Sequence, residues 1–352
     1  MTERPISWDE IFEKLTEKQN LSDLQINWAM SQILDGLANN DQIKNFLLLL
    51  KAKGEKPSEV RALVDVMYQR GIAINIAERA VDIVGTGGDG ASTINISTTA
   101  AIITTAAGAR TIKHGNRAAS SKSGAADLLE ALGIDISLGA EQIQECVRRI
   151  GIGFAFAPVF HPAMKNAASA RRELATPTVF NILGPLANPA KPKAVAIGVA
   201  RAELLELVAT VLAERGCEGF IFRGDDGLDE ISLSTTSTIF QINNGEITRH
   251  IFDPSELGLE RVGIEELRGG TPSENAEITR AIFAGKGGPY RQSVLLNAAA
   301  AIAAFKGDFH LGLTQQLANG YTLAKQAVDS GAAAQLVERW ANLSTELAKS
   351  SL

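Results

Sequence analysis

The sequence has little of the features that assign a protein to a class at once. It has only two cysteines in 352 residues, Cys146 and Cys217, and their separation argues against a metal-ligand motif or a disulfide framework. No apolar run approaches the length that spans a bilayer, and residues 1–10 lack the basic and apolar regions of a signal peptide. We therefore expect a cytoplasmic protein with no membrane partner.

Positive charge is also in short supply. Lys and Arg number 34 against 40 Asp and Glu, which gives a formal net charge of −6. This balance disfavours non-specific binding to nucleic acid, which needs a basic face. A polyanionic ligand would have to be attracted by a local basic site or by bridging cations. The length suggests about two domains.

Two patterns divide the chain. Residues 8 to about 72 carry apolar side chains at helical spacing and no strand candidate, which predicts about four short helices packed as a bundle. From about residue 80, short apolar runs alternate with helical stretches, which indicates an α/β fold with a mostly parallel central sheet. We expect a small N-terminal all-α domain of residues 1–75, to which 163–187 return, and a larger α/β domain of 76–162 and 188–352.

The individual elements follow from the same patterns. We predict strands at 81–84, 111–113, 134–136, 154–156, 194–199, 219–222 and 238–242. We predict helices at 97–107, 124–132, 140–149, 163–173, 201–214, 273–284, 290–305, 311–328 and 330–349.

A glycine-rich turn follows the first predicted strand. Gly85, Gly87 and Gly90 fit the spacing G-x-G-x-x-G, but a dinucleotide site also needs an acidic residue about 20 positions further on. No Asp or Glu occurs between Asp89 and Asp127. Asp89 itself lies inside the turn, where it would repel a pyrophosphate. We therefore exclude a nicotinamide oxidoreductase.

The acid-free stretch that follows, residues 90–126, is basic and rich in small polar residues. Glycine amides and a helix N-terminus can form an anion site, and Lys113, Lys122 and Arg117 add positive charge. Asn95 and Asn116 can donate to and accept from sugar hydroxyls. The set suits a phosphorylated sugar, while ordinary turns and helix caps remain the alternative interpretation. Short hydroxyl donors are available from Ser97, Thr98, Ser121 and Ser123.

A second acidic element follows the strand predicted at 219–222. Asp225, Asp226, Asp229 and Glu230 lie on a glycine-containing loop, and carboxylates together with phosphate oxygens are the ligands that Mg²⁺ prefers. A solvated acidic loop is the alternative. Paired with an anion site elsewhere in the chain, a magnesium site is the stronger hypothesis.

These motifs, taken in order, resemble those of the anthranilate phosphoribosyltransferases over nearly the whole chain. The likeness rests on residues 85–90, 95–98, 113–117, 120–123, 161–164, 179–189 and 226–230. The family transfers phosphoribose from phosphoribosyl pyrophosphate to the amine of anthranilate in tryptophan biosynthesis. The resemblance implies a small helical domain beside a larger α/β domain, a homodimer joined through the helical domains, and about two magnesium ions per active site.

The resemblance also implies a role for each matched residue. Anthranilate would contact Gly85, Asn116 and Arg171, and magnesium would be held by Ser97, Asp229 and Glu230. The catalytic set would be Lys113, His114 and Arg171, with Lys113 neutralising the leaving group, His114 accepting a proton or orienting the amine, and Arg171 clamping the anthranilate carboxylate. Phosphoribosyl pyrophosphate would contact Gly88, Asp89, Thr93, Asn95, Ile96, Ser97, Thr98, Lys113, His114, Gly115, Asn116, Arg117, Ala118, Ala119, Ser120, Ser121 and Ala125.

The chain departs from the family pattern at two positions. Pro177 stands where the family often has Arg, and Arg223 stands where it often has His. These departures concern acceptor affinity more than reaction class. Two alternatives stay open: a pyrimidine nucleoside phosphorylase, which would use free phosphate without magnesium, and a non-catalytic relative that binds nucleic acid.

Overall fold

The structure is a computed structural model that describes residues 5–118 and 121–350. Its N-terminal part consists of four short helices, as predicted. A reciprocal capping box between Ser22 and Gln25 begins the second helix, and Pro57 occupies the first turn of the fourth. The helices are α1 (Trp8–Thr16), α2 (Asp23–Leu34), α3 (Asn40–Lys53) and α4 (Pro57–Arg70).

A seven-stranded sheet forms the centre of the rest of the chain. Its order is β3-β2-β1-β4-β5-β6-β7; β1 to β5 run parallel, and β6 and β7 are antiparallel. This confirms the mostly parallel sheet. The strands are β1 (Val81–Gly85), β2 (Thr111–Gly115), β3 (Ile152–Phe156), β4 (Ala194–Gly198), β5 (Glu218–Gly224), β6 (Ser237–Asn243) and β7 (Glu246–Phe252).

Eleven further α-helices follow in the described part of the chain. They are α5 (Ile96–Ala106), α6 (Ala125–Ala131), α7 (Ala140–Ile150), α8 (Ala157–Phe160), α9 (Ala168–Leu174), α10 (Phe180–Leu186), α11 (Ala202–Glu214), α12 (Pro272–Phe283), α13 (Pro289–Lys306), α14 (Leu313–Asp329) and α15 (Ala332–Lys349). None of the described helices is long and apolar enough to cross a membrane.

The two faces of the sheet border two different cores. Along β4, Ala194 and Ala196 point into a core that includes α5, α13, α14 and α15, whereas Val195 and Ile197 point into a core shared with α1 to α4, α10 and α11. Successive side chains of a strand alternate between its faces, so one apolar strand serves both layers.

The prediction of a strand at 134–136 was wrong. Ile134 and Ile136 are buried, but the amide of Asp135 donates to Ser344 Oγ at 3.0 Å and that of Ile134 donates to Leu129 O. The alternation of apolar and polar residues therefore reflects packing of a connecting segment against helices rather than pairing with a strand.

The edge strand β7 was not predicted. Glu246, Arg249 and other residues along it are exposed, so the strand lacks an apolar run. The turn before it carries the signal that could have identified the hairpin: Asn244 and Gly245 both adopt positive φ, at 50° and 82°, as a two-residue hairpin turn requires.

The segment after β3 leaves the sheet and packs on the N-terminal helices. Asn166 Nδ2 donates to Leu34 O at 2.8 Å, and Lys51 Nζ donates to Pro177 O at 2.8 Å. Ala170 is buried in the same core as those helices. The strand order reverses between β1 and β4, and ligands of open α/β sheets bind outside the carboxyl ends of strands at such a point.

Candidate active site

The carboxyl ends of β1 and β4 are crossed by the acidic loop. Gly85 and Gly198 are partners in register at these ends. A Cβ atom at Gly85 would overlap with the Asp229 carboxylate, and one at Gly198 would overlap with the Asp229 backbone carbonyl. The amide of Gly87 donates to Asp229 Oδ2 at 2.6 Å. The loop can lie this close only because both strands end in glycine.

The second carboxylate of the loop meets the beginning of α5. The amide of Ser97 donates to Glu230 Oε1 at 3.1 Å. The first turn of α5 contains no acidic residue of its own, so the Glu230 carboxyl group supplies a hydrogen-bond acceptor at this helix N-terminus. Residues more than 130 positions apart thus converge at one point.

Lys113 joins this cluster from β2. Its ammonium group is buried and donates to Ile83 O at 2.6 Å and to Ser97 Oγ at 3.2 Å. Burial lowers the pKa of Lys113, and the carboxylates of Asp82, Glu230 and Asp229 oppose that shift. The Lys113 amino group is therefore buried and contacts the first turn of α5.

The carboxylates themselves are held in an electrostatically unfavourable arrangement. Burial raises the pKa of Asp229 to about 7, with a further contribution from the charge of Asp89. Burial, and then the charge of Asp229, raises the pKa of Glu230 well above its usual range. Buried carboxylates that repel one another fit a divalent cation, which would favour their charged forms.

Asp225 and Asp226 behave differently from this pair. Both are exposed, and they brace the loop: Asp226 Oδ1 accepts from the amide of Leu228, and Asp225 Oδ1 accepts from Thr238 Oγ1. The acidic element thus divides into two residues that face the crevice and two that fold the loop. Within residues 5–118 and 121–350, no cluster of three or more His, Cys, Asp or Glu side chains could hold a metal.

His114 is buried and neutral. Its Nδ1 lies 2.7 Å from Gly184 O in α10, whereas its buried Nε2 has no hydrogen-bond partner. Burial, and next the neighbouring His161, lowers the pKa of His114 to about 3. The Nδ1 contact requires the proton on that nitrogen, so His114 holds α10 against the end of β2.

The residues of the glycine turn and of α5 that were predicted to contact phosphoribosyl pyrophosphate lie together, as their order in the sequence requires. Gly88 adopts a φ of 85°, and Asp89 Oδ1 accepts from the amide of Ala91. Thr93 forms an isolated bridge with Arg268. The side chains of Ile96 and Thr98 are buried, so Ile96 can reach a ligand only through its backbone.

Asn95 is committed to bonds within the protein. Its Nδ2 donates to Ser123 O at 2.9 Å, and its Oδ1 accepts from Ser123 Oγ at 3.0 Å and from Asn275 Nδ2 at 2.8 Å. Asn275 Oδ1 in turn accepts from the amide of Gly270. Asn95 thus ties the start of α5 to the loop before α6.

Arg117 lies on the outer side of that loop. Its guanidinium donates to Asp127 and Glu130 of α6 and lies 5.6 Å from the centre of the Phe156 ring. The amide of Ala118 also donates to Asp127. Ala119 and Ser120, which were both predicted to contact phosphoribosyl pyrophosphate, lie outside the described residues.

The remaining residues of the predicted set border the same loop. Ser121 Oγ donates to Ser123 O. A Cβ atom at Gly115 would press against Phe154 and Ala125, so Ala125 closes the floor below Gly115. The carbonyl of Asn116 accepts from the amide of Ala126.

The predicted acceptor residue Arg171 lies on α9. Although the residue is exposed as a whole, its guanidinium lies 6.0 Å from the centre of the Phe180 ring, and desolvation there lowers its pKa. Phe180 begins α10, the helix whose Gly184 carbonyl contacts His114. Helix α10 thus connects Arg171 to the end of β2.

The structure also places Pro177 and Arg223, the two residues that depart from the family pattern. Pro177 lines a small cavity with Gly87, Gly88 and Arg201, beside the glycine turn. Arg223 Nε donates to Ala200 O at 2.7 Å. Arg223 therefore holds the backbone that follows β4.

Three residues that contribute to the site were not predicted. Gly198 shows no local sequence signal, because its role depends on a loop 31 positions away. Asn275 lies in α12, where nothing in the local sequence marks it as part of a site. Asp82 carries a usable signal, an acid inside an apolar strand; it is buried and accepts from His114 N and from Asn188 Nδ2.

Comparison with known families agrees with the two-part fold. Residues 77–334 match the a/b domain of a glycosyl transferase family, and residues 9–71 match the helical bundle domain of a glycosyl transferase family. The chain is therefore a glycosyl transferase of this two-part type.

Relatives narrow the class. The chain is 50% identical over 344 residues to the anthranilate phosphoribosyltransferase of Rhodococcus jostii, covering 98% of this chain and 95% of that protein. It is also 50% identical to the Rhodococcus opacus enzyme, with the same coverage. The chain belongs to the anthranilate phosphoribosyltransferases.

Solved structures agree in fold. The Thermus thermophilus anthranilate phosphoribosyltransferase superposes with a TM-score of 0.87 at 36% identity, covering 95% of this chain and 99% of that one. The Saccharomyces cerevisiae enzyme in complex with PRPP and Mg gives 0.87 at 28% identity, covering 96% and 98%.

Proposed function

We propose that the crevice at the carboxyl ends of β1, β2 and β4 carries out the family reaction. In this reaction, 5-phosphoribose passes from phosphoribosyl pyrophosphate to the amine of anthranilate, and pyrophosphate leaves; this is the second step of tryptophan synthesis from chorismate. One observation carries the assignment of the reaction to this crevice. The buried carboxylates of Asp229 and Glu230 meet the glycine turn, the α5 N-terminus and Lys113 at one point.

Magnesium is the proposed cofactor, with about two ions per site. Asp229, Glu230 and the hydroxyl of Ser97 would hold it. The yeast relative has been solved in complex with PRPP and Mg, and the raised pKa values of Asp229 and Glu230 favour a cation at this place. Bound magnesium would neutralise charge on the departing pyrophosphate.

The chain's own residues would stabilise the donor as its C1–O bond breaks. Amides of the glycine turn around Gly88 would donate to phosphate oxygens, and the Lys113 ammonium group would supply a desolvated positive charge. Pyrophosphate departs with the bonding electron pair, and the sugar develops oxocarbenium character. The segment from His114 to Ser121, which begins at the end of β2, would border the ribose and its 5′-phosphate.

The acceptor would bind between the glycine turn and α9. Arg171 offers a planar pair of donors to the anthranilate carboxylate, and Gly85 and Asn116 would lie beside the ring. A yeast relative has been solved with 4-fluoroanthranilate. The neutral aniline amine would form the bond to C1 with its lone pair as pyrophosphate leaves, and the proton that its nitrogen then loses can pass to the departing pyrophosphate or to water. His114 would orient the acceptor side through α10 without having to gain that proton.

The domain division and the assembly complete the proposal. Residues 1–75 and 163–187 would form the helical domain, and 76–162 and 188–352 the α/β domain; the bond from Lys51 to Pro177 supports the first grouping. The helical part exposes Leu24, Leu37, Leu48 and Ile72, which suits a homodimer interface. We propose that this dimer is cytoplasmic.

A direct assay tests the reaction. Purified protein with phosphoribosyl pyrophosphate and magnesium should consume anthranilate, seen as loss of its fluorescence. The matched arm supplies thymidine and inorganic phosphate without magnesium, the conditions of a pyrimidine nucleoside phosphorylase. Turnover in the second arm alone would replace the proposed reaction with that one.

A further inference from the structure

A polar amide side chain lies within the apolar interior of α13. Asn297 is fully buried, and Leu296, Ala298, Ala299 and Ala300 around it are fully buried as well. A buried amide is destabilising unless its donors and acceptor are paired. An amide at this position is therefore expected to form hydrogen bonds that an apolar residue could not form.

The amide is paired with the acidic loop. The backbone amide of Ile231 donates to Asn297 Oδ1 at 2.9 Å, and Asn297 Nδ2 donates to Ile231 O at 3.1 Å. A third bond runs from Nδ2 to Ser293 O at 3.0 Å. The side chain thus pairs with both polar groups of one residue, as a neighbouring strand would.

Ile231 directly follows the two carboxylates that face the crevice. It is fully buried and lies outside any strand, so its backbone groups have no ladder to join. The peptide between Glu230 and Ile231 sets the direction of the Glu230 side chain, and Asp229 is one residue further back. A rotation of that peptide would move both carboxylates away from Gly87 and Ser97.

We propose that Asn297 is the positioning residue that sets the magnesium-binding geometry of Asp229 and Glu230. The two carboxylates are held from the crevice side by the amides of Gly87 and Ser97. Asn297 holds the next residue of the same segment, Ile231, through its backbone rather than through its side chain. This inference rests on the magnesium role of Asp229 and Glu230 in the proposed function.

The test compares Asn297→Leu with Gln316→Leu. Leucine nearly matches asparagine in shape but leaves Ile231 without its partners. Gln316 is another buried amide; it donates to Leu311 O at 2.8 Å and to Gln241, which pairs with Phe220 near the start of β5. This control therefore loses a buried amide at the far end of the sheet.

Two measurements separate positioning from stability. Loss of a partner that orients a metal ligand weakens metal binding by about 10- to 100-fold. We expect Asn297→Leu to raise the Mg²⁺ concentration for half-maximal rate by about tenfold and to weaken calorimetric binding of Mg²⁺ with inorganic pyrophosphate similarly. The KM for anthranilate should stay within about twofold, and Gln316→Leu should lower Tm without either magnesium effect.

The outcomes are distinct. A lowered Tm with unchanged magnesium dependence and unchanged pyrophosphate binding would reduce Asn297 to a structural residue and overturn the proposal. Should Asn297→Leu not fold, Asn297→Ser, whose smaller side chain admits a water, is measured in the same way with the same two criteria. A wild-type protein that binds Mg²⁺ with pyrophosphate but leaves anthranilate unused would refute the proposed reaction and leave this inference standing.

Discussion

Gly85 and Gly198 face each other in register at the ends of β1 and β4, and Asp229 crosses both of them. Neither glycine is needed for a left-handed backbone, because neither has a positive φ. They are needed for space alone. This relationship allows a carboxylate-bearing loop to lie directly on the end of a parallel sheet, where the glycine turn also begins.

The first prediction concerns Gly198→Ala. The new methyl group would overlap with the Asp229 carbonyl, so the acidic loop must shift away from the turn. We expect kcat to fall by about 100-fold, the loss typical of misplaced catalytic groups, and the Mg²⁺ requirement to rise. Gly312→Ala is the control, because a Cβ atom there meets open space at a negative φ. Steady-state kinetics at several Mg²⁺ concentrations decides; equal activity in both variants contradicts the packing argument.

The second prediction separates the two halves of the acidic loop. Asp229→Asn with Glu230→Gln removes the charges that face the crevice, and we expect kcat to fall by at least about tenfold. Asp225→Asn changes charge in the same loop on an exposed residue and should leave magnesium dependence unchanged. Rates are compared across a Mg²⁺ titration. Magnesium dependence that is the same in all three proteins would remove the metal role.

Sequence reasoning could group the residues predicted to bind phosphoribosyl pyrophosphate because they are close along the chain. The glycine turn and Ser97 lie within one strand-turn-helix unit, and Asp229 with Glu230 formed a recognisable acidic pair. It could not identify Gly198, Asn275 or Asn297, because their roles depend on contacts between segments far apart in the chain. A residue that makes room or pairs with a distant backbone leaves no periodic pattern.

Arg117 shows the same limit of sequence reasoning, here as a side chain that was predicted to be available for a ligand. The acid-free stretch at 90–126 indicated a free basic side chain for phosphate. The acids that pair with Arg117, Asp127 and Glu130, begin directly after that stretch, and a helical turn brings them back to it. The acid-free stretch of the sequence therefore overstates the positive charge that faces the crevice.

The third prediction uses the pH dependence of stability. The pKa of His114 is lowered to about 3 in the folded protein from an ordinary 6.5, so the unfolded chain binds more protons between these values. Stability from this group is complete above pH 6.5 and is lost as pH falls below it. We expect its contribution to fall by about 1.4 kcal/mol from about pH 8 to about pH 5.5.

The variant His114→Asn tests this directly. Asparagine keeps a donor near the position of Nδ1 and does not titrate. Its free energy of unfolding should fall less between the two pH values than that of the wild type, and the difference should match the His114 contribution. His250 also has a lowered pKa and acts equally in both proteins. Parallel pH profiles for the two proteins would mean that His114 titrates in the folded protein as it does in the unfolded chain.

The fourth prediction concerns the acceptor and uses two neighbouring arginines. Arg171 lies over the Phe180 ring at the start of α10, whereas Arg172 is exposed on the same helix. Arg171→Ala removes the proposed bidentate donor for the anthranilate carboxylate, and a charge-assisted pair contributes about 1.5–3 kcal/mol. We therefore expect the KM for anthranilate to rise by about 10- to 100-fold, with the KM for phosphoribosyl pyrophosphate nearly unchanged. Arg172→Ala should alter neither value. An equal rise in both KM values for Arg171→Ala would indicate a general disturbance of α9 and argue against a carboxylate clamp.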